Sequence, residues 1–392
     1  MSLTTDVRAK PGPGAFGHRD DQAELDAYMQ DGAARAMALG NRSPILYTAD
    51  GAVDPAILES YWKHGFYIFE NVLSADELAD LEAGVQDIMT RLPMCKEAEL
   101  DAQGRPAIGV ANQAPTLFWS KPLGDPMGGT NEAGGRHHIK MIEATARADA
   151  PEDIVYLILG SLQFSDALLR CYGHPELLRV VEAINGPDFV PFTDALFIKE
   201  PGLGAAVSWH QDGITHWDSP DWDMGTHGFN LMGQLYGSTP KNGVWVVPGS
   251  HRQGKVDIKK AVSEAGTERL PNAVPIVCKP GDVAVTNRQT LHASFPNTSP
   301  DWRVTVNMGF HRRSSVLGVS GGGLHNAAAV YDEARIRSRS RVIGYAIDAR
   351  SKRFPIETSY VYRPHAEAGE RYVYDDAARA SMFDYNLEDL SI

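Results

Sequence analysis

Two hydrophobic periods divide the chain. Up to about residue 185 apolar positions recur mostly at helical spacing, and from Asn185-Gly186-Pro187 to about residue 312 they alternate or form short blocks cut by turn residues. The first half predicts an amphipathic helix over Asp21–Leu39, stopped by Gly40. A second helix is opened by the cap Asp54 and by Pro55, whose missing N–H costs nothing at that position, and runs to His64. A short strand, Phe66–Phe69, follows Gly65. Ser74 and Glu77 have the spacing of a capping box, and the helix behind them ends near Leu92, before Pro93. The stretch 95–150 reads as loops wrapped on the core, and helical patterns return at 152–162, 165–172 and 174–184. The second half predicts strands at Phe189–Lys199, Phe229–Tyr236, Val244–Val247, Val274–Cys278, Asp282–Thr286 and Arg303–His311. Antiparallel strands in that number imply a mainly β protein with flanking helices, its core a sandwich or a jelly-roll barrel.

This pattern gives one catalytic-sized domain over 53–315, with helical support at 53–185 and the jelly-roll core at 186–315. The flanks are an N-terminal extension, 1–52, whose first 20 residues look mobile, and a polar C-terminal extension, 316–392, with a basic stretch at Arg335–Arg353. Hydrophobic residues at 43% and charged ones at 22% are enough for a full core in 392 residues. A net charge of −13 argues against nucleic acid as partner, because phosphate binding needs clustered cations. The longest apolar run, Ile154–Leu159, is far short of the ~20 residues that span a bilayer, so no membrane partner is expected. The N-terminus lacks an apolar signal core, and three scattered cysteines fit a reduced, cytoplasmic setting.

The candidate chemistry starts from a metal site of two imidazoles and one carboxylate on one face, the arrangement that suits oxygen-activating iron. His-x-Asp on a strand end supplies two of these ligands, because residues i and i+2 point the same way. The motif alone is weak: His18, His174, His210, His216 and His365 all have an acid two residues on. Context selects His210-Gln211-Asp212, which follows a strand and a Gly-rich turn. His18 and His365 lie in the extensions, His174 reads as a helix start, and His216 sits inside a loop. His292, after the segment GDVAVTN, is the candidate third ligand.

The strand beyond it alternates. Arg303, Thr305, Asn307 and Gly309 share one face; Val304, Val306, Met308 and Phe310 share the other. An arginine leading the polar face is costly to bury without an anion, and a dicarboxylate matches the guanidinium fork. An internal salt bridge is the competing explanation.

On these residues the segment 53–312 resembles the phytanoyl-CoA dioxygenase family of iron(II)/2-oxoglutarate oxygenases, which includes ectoine hydroxylase. SYWKHGFYIFENVLSADELADL is similar to the family's opening helix, strand and helix, and KNGVWVVPGSH to its NG turn and PGSH. The resemblance implies a double-stranded β-helix (jelly-roll, cupin-like) core, Fe(II) on His210, Asp212 and His292, and 2-oxoglutarate with its far carboxylate on Arg303 and Ser294. O₂ is the second co-substrate, and a C–H bond of a small organic metabolite is hydroxylated with release of succinate and CO₂. Asp212, where halogenating relatives have Gly or Ala, favours hydroxylation.

Weaker candidates are Lys199 as a further cation for a carboxylate, and Asn230 and Gln234 on a strand face that points into the barrel or outward. Trp209, Trp217 and Trp222 are candidates for a substrate wall or for plain core. Adjacent His137 and His138 diverge in direction and are not expected to share a metal. The loop Gly213–Gly228 reads as a lid. The basic stretch is expected to dock on that lid, on a partner subunit in a homo-oligomer, or on an anionic substrate, with a solvated helix face as the alternative. Two other functions use the same barrel: a metal-dependent cupin enzyme without 2-oxoglutarate, and a silent small-molecule binding module.

Overall fold

The computed structural model describes residues 22–113, 115–322 and 328–389, so the expectations placed on residues 1–20, with His18, lie outside the described residues. Of the fourteen strands among the described residues, twelve form two sheets and the other two, Ser320–Gly321 and Ala329–Val330, pair only with each other. The large sheet has the order β1-β2-β10-β7-β12-β5-β4-β3 and the small one β6-β11-β8-β9. Their ranges are β1 Arg42–Ser43, β2 Phe66–Phe69, β3 Leu117–Ser120, β4 Ile154–Leu159, β5 Val190–Lys199, β6 Val207–His210, β7 Phe229–Gln234, β8 Trp245–Val246, β9 Val274–Pro275, β10 Val283–Asn287, β11 His292–Ser294 and β12 Arg303–His311. All pairings are antiparallel except β1 with β2. This is the jelly-roll core expected from the alternating half of the chain.

Helices α1 (Gln22–Ala38), α2 (Pro55–His64), α3 (Ala75–Thr90), α4 (Asp166–Tyr172), α5 (Pro175–Asn185) and α6 (Ile258–Ala265) flank the sheets. A single turn, α7 (Arg313–Val316), leads to the long α8 (Glu333–Arg353). The predicted start signals are used: Asp54 accepts from Ala56 N, and Ser74 and Glu77 form the reciprocal capping box. The main core lies between the outer face of the large sheet and α2 to α5 with α8. There Val304, Val306, Met308 and Phe310 meet Leu168, Val180 and Ile343. A second core joins the small sheet to α1 and α6 around Trp209 and Trp245. Burying each such large apolar side chain contributes about 1.5–3 kcal/mol.

Two expectations are corrected. The run Ile154–Leu159, taken as part of a helix at 152–162, is a strand buried along most of its length. Periodicity cannot separate a short, wholly apolar run into helix or strand, and its six residues suit a strand. With β2, the strand expected at Phe66–Phe69, and β3, which falls in the stretch read as loops, it adds strands from the helical-support segment 53–185 to the large sheet.

The basic stretch is also turned inward. Val342, Ile343 and Ala346 of α8 are buried in the main core. Its cations pair within the chain: Arg337 with Glu370, Arg339 with Asp389, Arg341 with Glu388, Arg350 with Glu77 and Glu357, and Arg353 with Asp80. None of these acids belongs to the loop 213–228, so the stretch does not dock there through its charges. Among the described residues, no helix is long and apolar enough to cross a membrane.

Candidate active site

β6 and β11 lie side by side, and their register sets His210 directly opposite His292. Asp212 follows two residues after His210, in the turn leaving β6, where its backbone N–H donates to Arg288 O at 2.8 Å. The next residue must be small: Gly213 has φ +101°, and a Cβ there would lie 2.5 Å from the His227 ring. Ligand-capable atoms of His210, Asp212 and His292 all fall within 4.8 Å of one another, the one such group of three among the described residues. His216 is not part of it.

Both imidazoles are oriented in advance. His210 Nδ1 lies 2.8 Å from Ser208 O, and His292 Nδ1 lies 2.8 Å from Thr290 O. A carbonyl can only accept, so Nδ1 carries the proton in each ring and the Nε2 lone pair faces Asp212. Nε2 of His210 lies 3.6 Å from Asp212 Oδ1, and Nε2 of His292 4.0 Å from Oδ2. Burial pushes both imidazoles below their ordinary value, and for His210 the neighbouring His292 adds to the effect. Burial works against the Asp212 charge, but Arg136 and Arg288 outweigh it and hold the carboxyl far below the usual carboxylate range. Arg136 Nη2 sits 3.1 Å from Oδ1, and Arg288 Nε 3.7 Å from Oδ2. Two neutral imidazoles and one anionic carboxylate are therefore ready to coordinate a hard or borderline divalent cation.

The three residues open into a cavity of about 180 Å³ between the sheets. Arg303, Ser294 and Asn230 line it. Asn230 Nδ2 also donates to Asp212 Oδ2 at 3.3 Å. Arg303 is buried, donates from Nη1 to Asn242 O at 3.1 Å, and has a buried Nε without a partner. Neither Arg303 nor the buried Lys199 has a carboxylate within ion-pair distance among the described residues, so the expected alternative of an internal salt bridge does not hold. Lys199 donates to Phe295 O, and burial with the neighbouring Arg303 pushes its ammonium well below its ordinary value.

Three candidates lie elsewhere. Gln234 is outside the cavity lining; its Oε1 accepts from Thr305 Oγ1 at 3.0 Å and so orients a residue that does line it. Trp209 is fully buried in the second core, its Nε1 donating to Glu268 O at 2.6 Å. One position from His210 on the same strand, it must point to the opposite face. Trp217 borders a smaller adjoining hollow with Arg136 and packs on His227 at 4.4 Å between ring centroids.

Sequence reasoning missed Arg136, Arg288 and the role of His137. His137 stacks on His210 at 4.2 Å between centroids, its Nδ1 is 3.1 Å from Ser208 Oγ, and burial lowers its pKa to about 3. His138 faces the adjoining hollow instead, the divergence expected of neighbours. The loop carrying Arg136 and His137 is clamped by buried Asp125, which accepts from Gly128 N and Met141 N at 3.0 and 2.8 Å. An acid followed by a Gly pair inside the long loop was the available signal.

The sequence model of the family described as Phytanoyl-CoA dioxygenase (PhyH) matches residues 61–305. The chain belongs to that family. It is 33% identical over 110 residues to Phytanoyl-CoA dioxygenase 1 of Oryza sativa subsp. japonica, covering 26% of this chain and 37% of the rice protein. It is 30% identical over 143 residues to Dioxygenase lolE1 of Epichloe uncinata, covering 34% of this chain and 50% of that one. The chain thus spans half or less of the length of these relatives. A solved structure, EctD from S. alaskensis with 2-oxoglutarate and 5-hydroxyectoine, is 18% identical over 71% of this chain and 83% of its own, with a TM-score of 0.47. The family match contains every residue of the His210, Asp212 and His292 group and Arg303.

Proposed function

We propose that the chain is an Fe(II)- and 2-oxoglutarate-dependent dioxygenase that hydroxylates an unactivated C–H bond of a small organic metabolite. The observation that carries this reading is a buried cation without an acid beside a ready-made metal site: Arg303 and the facial group of His210, Asp212 and His292 share one cavity. The residues suit both the metal and the co-substrate. The donor set is that of non-haem iron, and the orphaned Nε of Arg303 asks for an anionic partner. When bound, iron with its co-substrate supplies oxidation of a C–H bond by O₂, with succinate and CO₂ as co-products.

The chain's own residues do the positioning. His210, Asp212 and His292 would hold the metal, with Ser208 O and Thr290 O fixing the imidazoles. Arg303, with Ser294, would take the far carboxylate of 2-oxoglutarate, and Lys199 raises the local positive potential. Asn230, Arg136 and Arg288 keep Asp212 anionic and fixed in direction. The walls Tyr156, Leu157 and Phe192 exclude water from the space beside the metal group. A metal-dependent cupin enzyme without 2-oxoglutarate leaves Arg303 and Lys199 with no counter-charge, and a silent binding module has no use for three converging ligands. A reducing compartment such as the cytoplasm belongs to the proposal, supported by three cysteines that form no disulfide.

Anaerobic addition of Fe(II) and 2-oxoglutarate to the apoprotein tests it. The expected result is a weak visible charge-transfer band that needs both components; a band absent at saturating concentrations of each refutes the reading.

A further inference from the structure

Asn307 is a buried amide with nothing to bond. It is 6% exposed and lines the main cavity. Its cross-strand neighbours in the large sheet are Ala195 on β5 and Met232 on β7, which offer no donor and no strong acceptor. The nearby amides are committed elsewhere: Asn230 Nδ2 donates to Asp212 Oδ2 at 3.3 Å, and Gln234 Oε1 accepts from Thr305 Oγ1 at 3.0 Å. Among the described residues, no group makes a hydrogen bond to the Asn307 side chain. An unpaired amide in a strand interior costs stability, and one that faces a cavity is explained by a ligand.

Register says where this amide stands. Along β12, Arg303, Thr305 and Asn307 line the cavity, while Val304, Val306 and Met308 lie in the core. The next position on the cavity side is Gly309. A Cβ there would lie 3.2 Å from Asn230 Oδ1, so the side chain of Asn230 crosses that position on its way to Asp212. Asn307 is therefore the last side chain of β12 before the metal group. The opposite wall has the same order. On β11, Ser294 and His292 are two residues apart, about 7 Å, and His292 is level with His210. Arg303 and Ser294 mark one end of a short path and the metal group marks the other, with Asn307 beside the metal end.

A five-carbon dicarboxylate laid along this path turns its oxo-acid end towards Asn307. That end is anionic and carries acceptors only, so the N–H groups of the amide are its complement. A neutral donor also serves there without adding to the cations Lys199 and Arg303, already paired across β5 and β12.

We infer that Asn307 binds the co-substrate: its amide donates to the oxo-acid end of 2-oxoglutarate and fixes how that end meets the metal. This rests on the oxygenase reading. The full chain is loaded anaerobically with Fe(II) and titrated with 2-oxoglutarate, and the charge-transfer band is recorded. Asn307→Leu keeps the size of the side chain and removes the unpaired polar group. It is expected to raise the dissociation constant of 2-oxoglutarate about tenfold and to leave that of Fe(II) alone within about twofold. At saturation its band is expected at higher energy, because a donor on the oxo acid stabilises the charge that the transition moves there. Asn307→Asp sets a second anion against the oxo acid and is expected to weaken binding on the order of a hundredfold. Arg303→Ala acts at the far carboxylate and is expected to weaken binding while leaving the band in place. An Asn307→Leu protein in which either the affinity or the band is unchanged overturns the inference, and so does an Arg303→Ala protein whose band moves as far. Should Asn307→Leu not fold, the affinity of Asn307→Asp decides alone. A band missing from the wild-type protein is a failure of the oxygenase reading, whereas a wild-type band that Asn307→Leu does not alter is a failure of this inference only.

Discussion

Lys199 and Arg303 stand directly opposite each other on β5 and β12, two buried cations in one cross-strand pair. Like charges so placed are destabilising unless an anion joins them. The pair therefore looks paid for by function, and it separates two effects. Lys199→Met is expected to raise the Tm of the ligand-free protein by removing the repulsion, yet to weaken 2-oxoglutarate binding. A lower Tm together with unchanged binding would make Lys199 a purely structural residue.

Arg303→Ala is expected to raise the apparent KM for 2-oxoglutarate by about a hundredfold, roughly 3 kcal/mol, with iron affinity changed far less. Two charge-assisted hydrogen bonds to a carboxylate account for a loss of that size. Steady-state kinetics with varied co-substrate, beside an iron titration, checks both halves. Unchanged co-substrate dependence would leave Arg303 without a role in the site.

For the metal group, His210→Ala, Asp212→Ala and His292→Ala are each expected to abolish turnover and to weaken iron binding by more than tenfold. His216→Ala is expected to keep both, since His216 lies outside the group. Equilibrium dialysis with Fe(II) under anaerobic conditions measures this directly. Iron loss in His216→Ala with retention in His210→Ala would move the site to the loop.

These residues were legible because two short periods place them. The i, i+2 rule sets His210 and Asp212 on one face, and the alternation of β12 sets Arg303 on the cavity side and Val304 in the core. The same rule, applied to Trp209, would have sent it away from the site. Arg136, His137 and Arg288 were out of reach because loops and turns carry them, where no period predicts direction. Asp389 was hidden for another reason. A helix with seven basic residues reads as solvated, and only the fold shows that Arg339 is buried with an acid 50 residues away.

The C-terminal extension is expected to be structural. Arg350→Met leaves Glu77 buried beside His174 without its cation, and breaking a buried pair on one side costs about 3–5 kcal/mol. Truncation after Ser320 removes α8 from the main core and is expected to prevent folding rather than to open the site. Urea denaturation of Arg350→Met and circular dichroism of the truncated chain check these outcomes. A truncated chain that stays folded and binds 2-oxoglutarate would return the extension to the role of a separate appendage.

Stability is expected to fall as pH drops from about 6.5 towards 4. His251 illustrates why. It is fully buried, its Nε2–H donates to Trp62 O at 2.9 Å, and its Nδ1 has no partner to receive from a second proton. Burial, reinforced by Arg252 and His64, lowers its pKa to about 4 against an ordinary 6.5. Between these values the unfolded chain binds the proton and the folded one does not, so acid favours unfolding. The contribution is fully present above pH 6.5 and lost as pH falls through the window. At about 1.36 kcal/mol per pH unit it amounts to roughly 3 kcal/mol at most. His251→Gln keeps a donor for Trp62 O but cannot titrate. The difference in unfolding free energy between pH 7.5 and pH 4.5 is therefore expected to shrink by about 2–3 kcal/mol in that variant. An unchanged difference would mean that His251 is solvated or paired in both states, and would shift the acid sensitivity to other buried histidines, His174, His227 and His365, which burial lowers to about 4 as well.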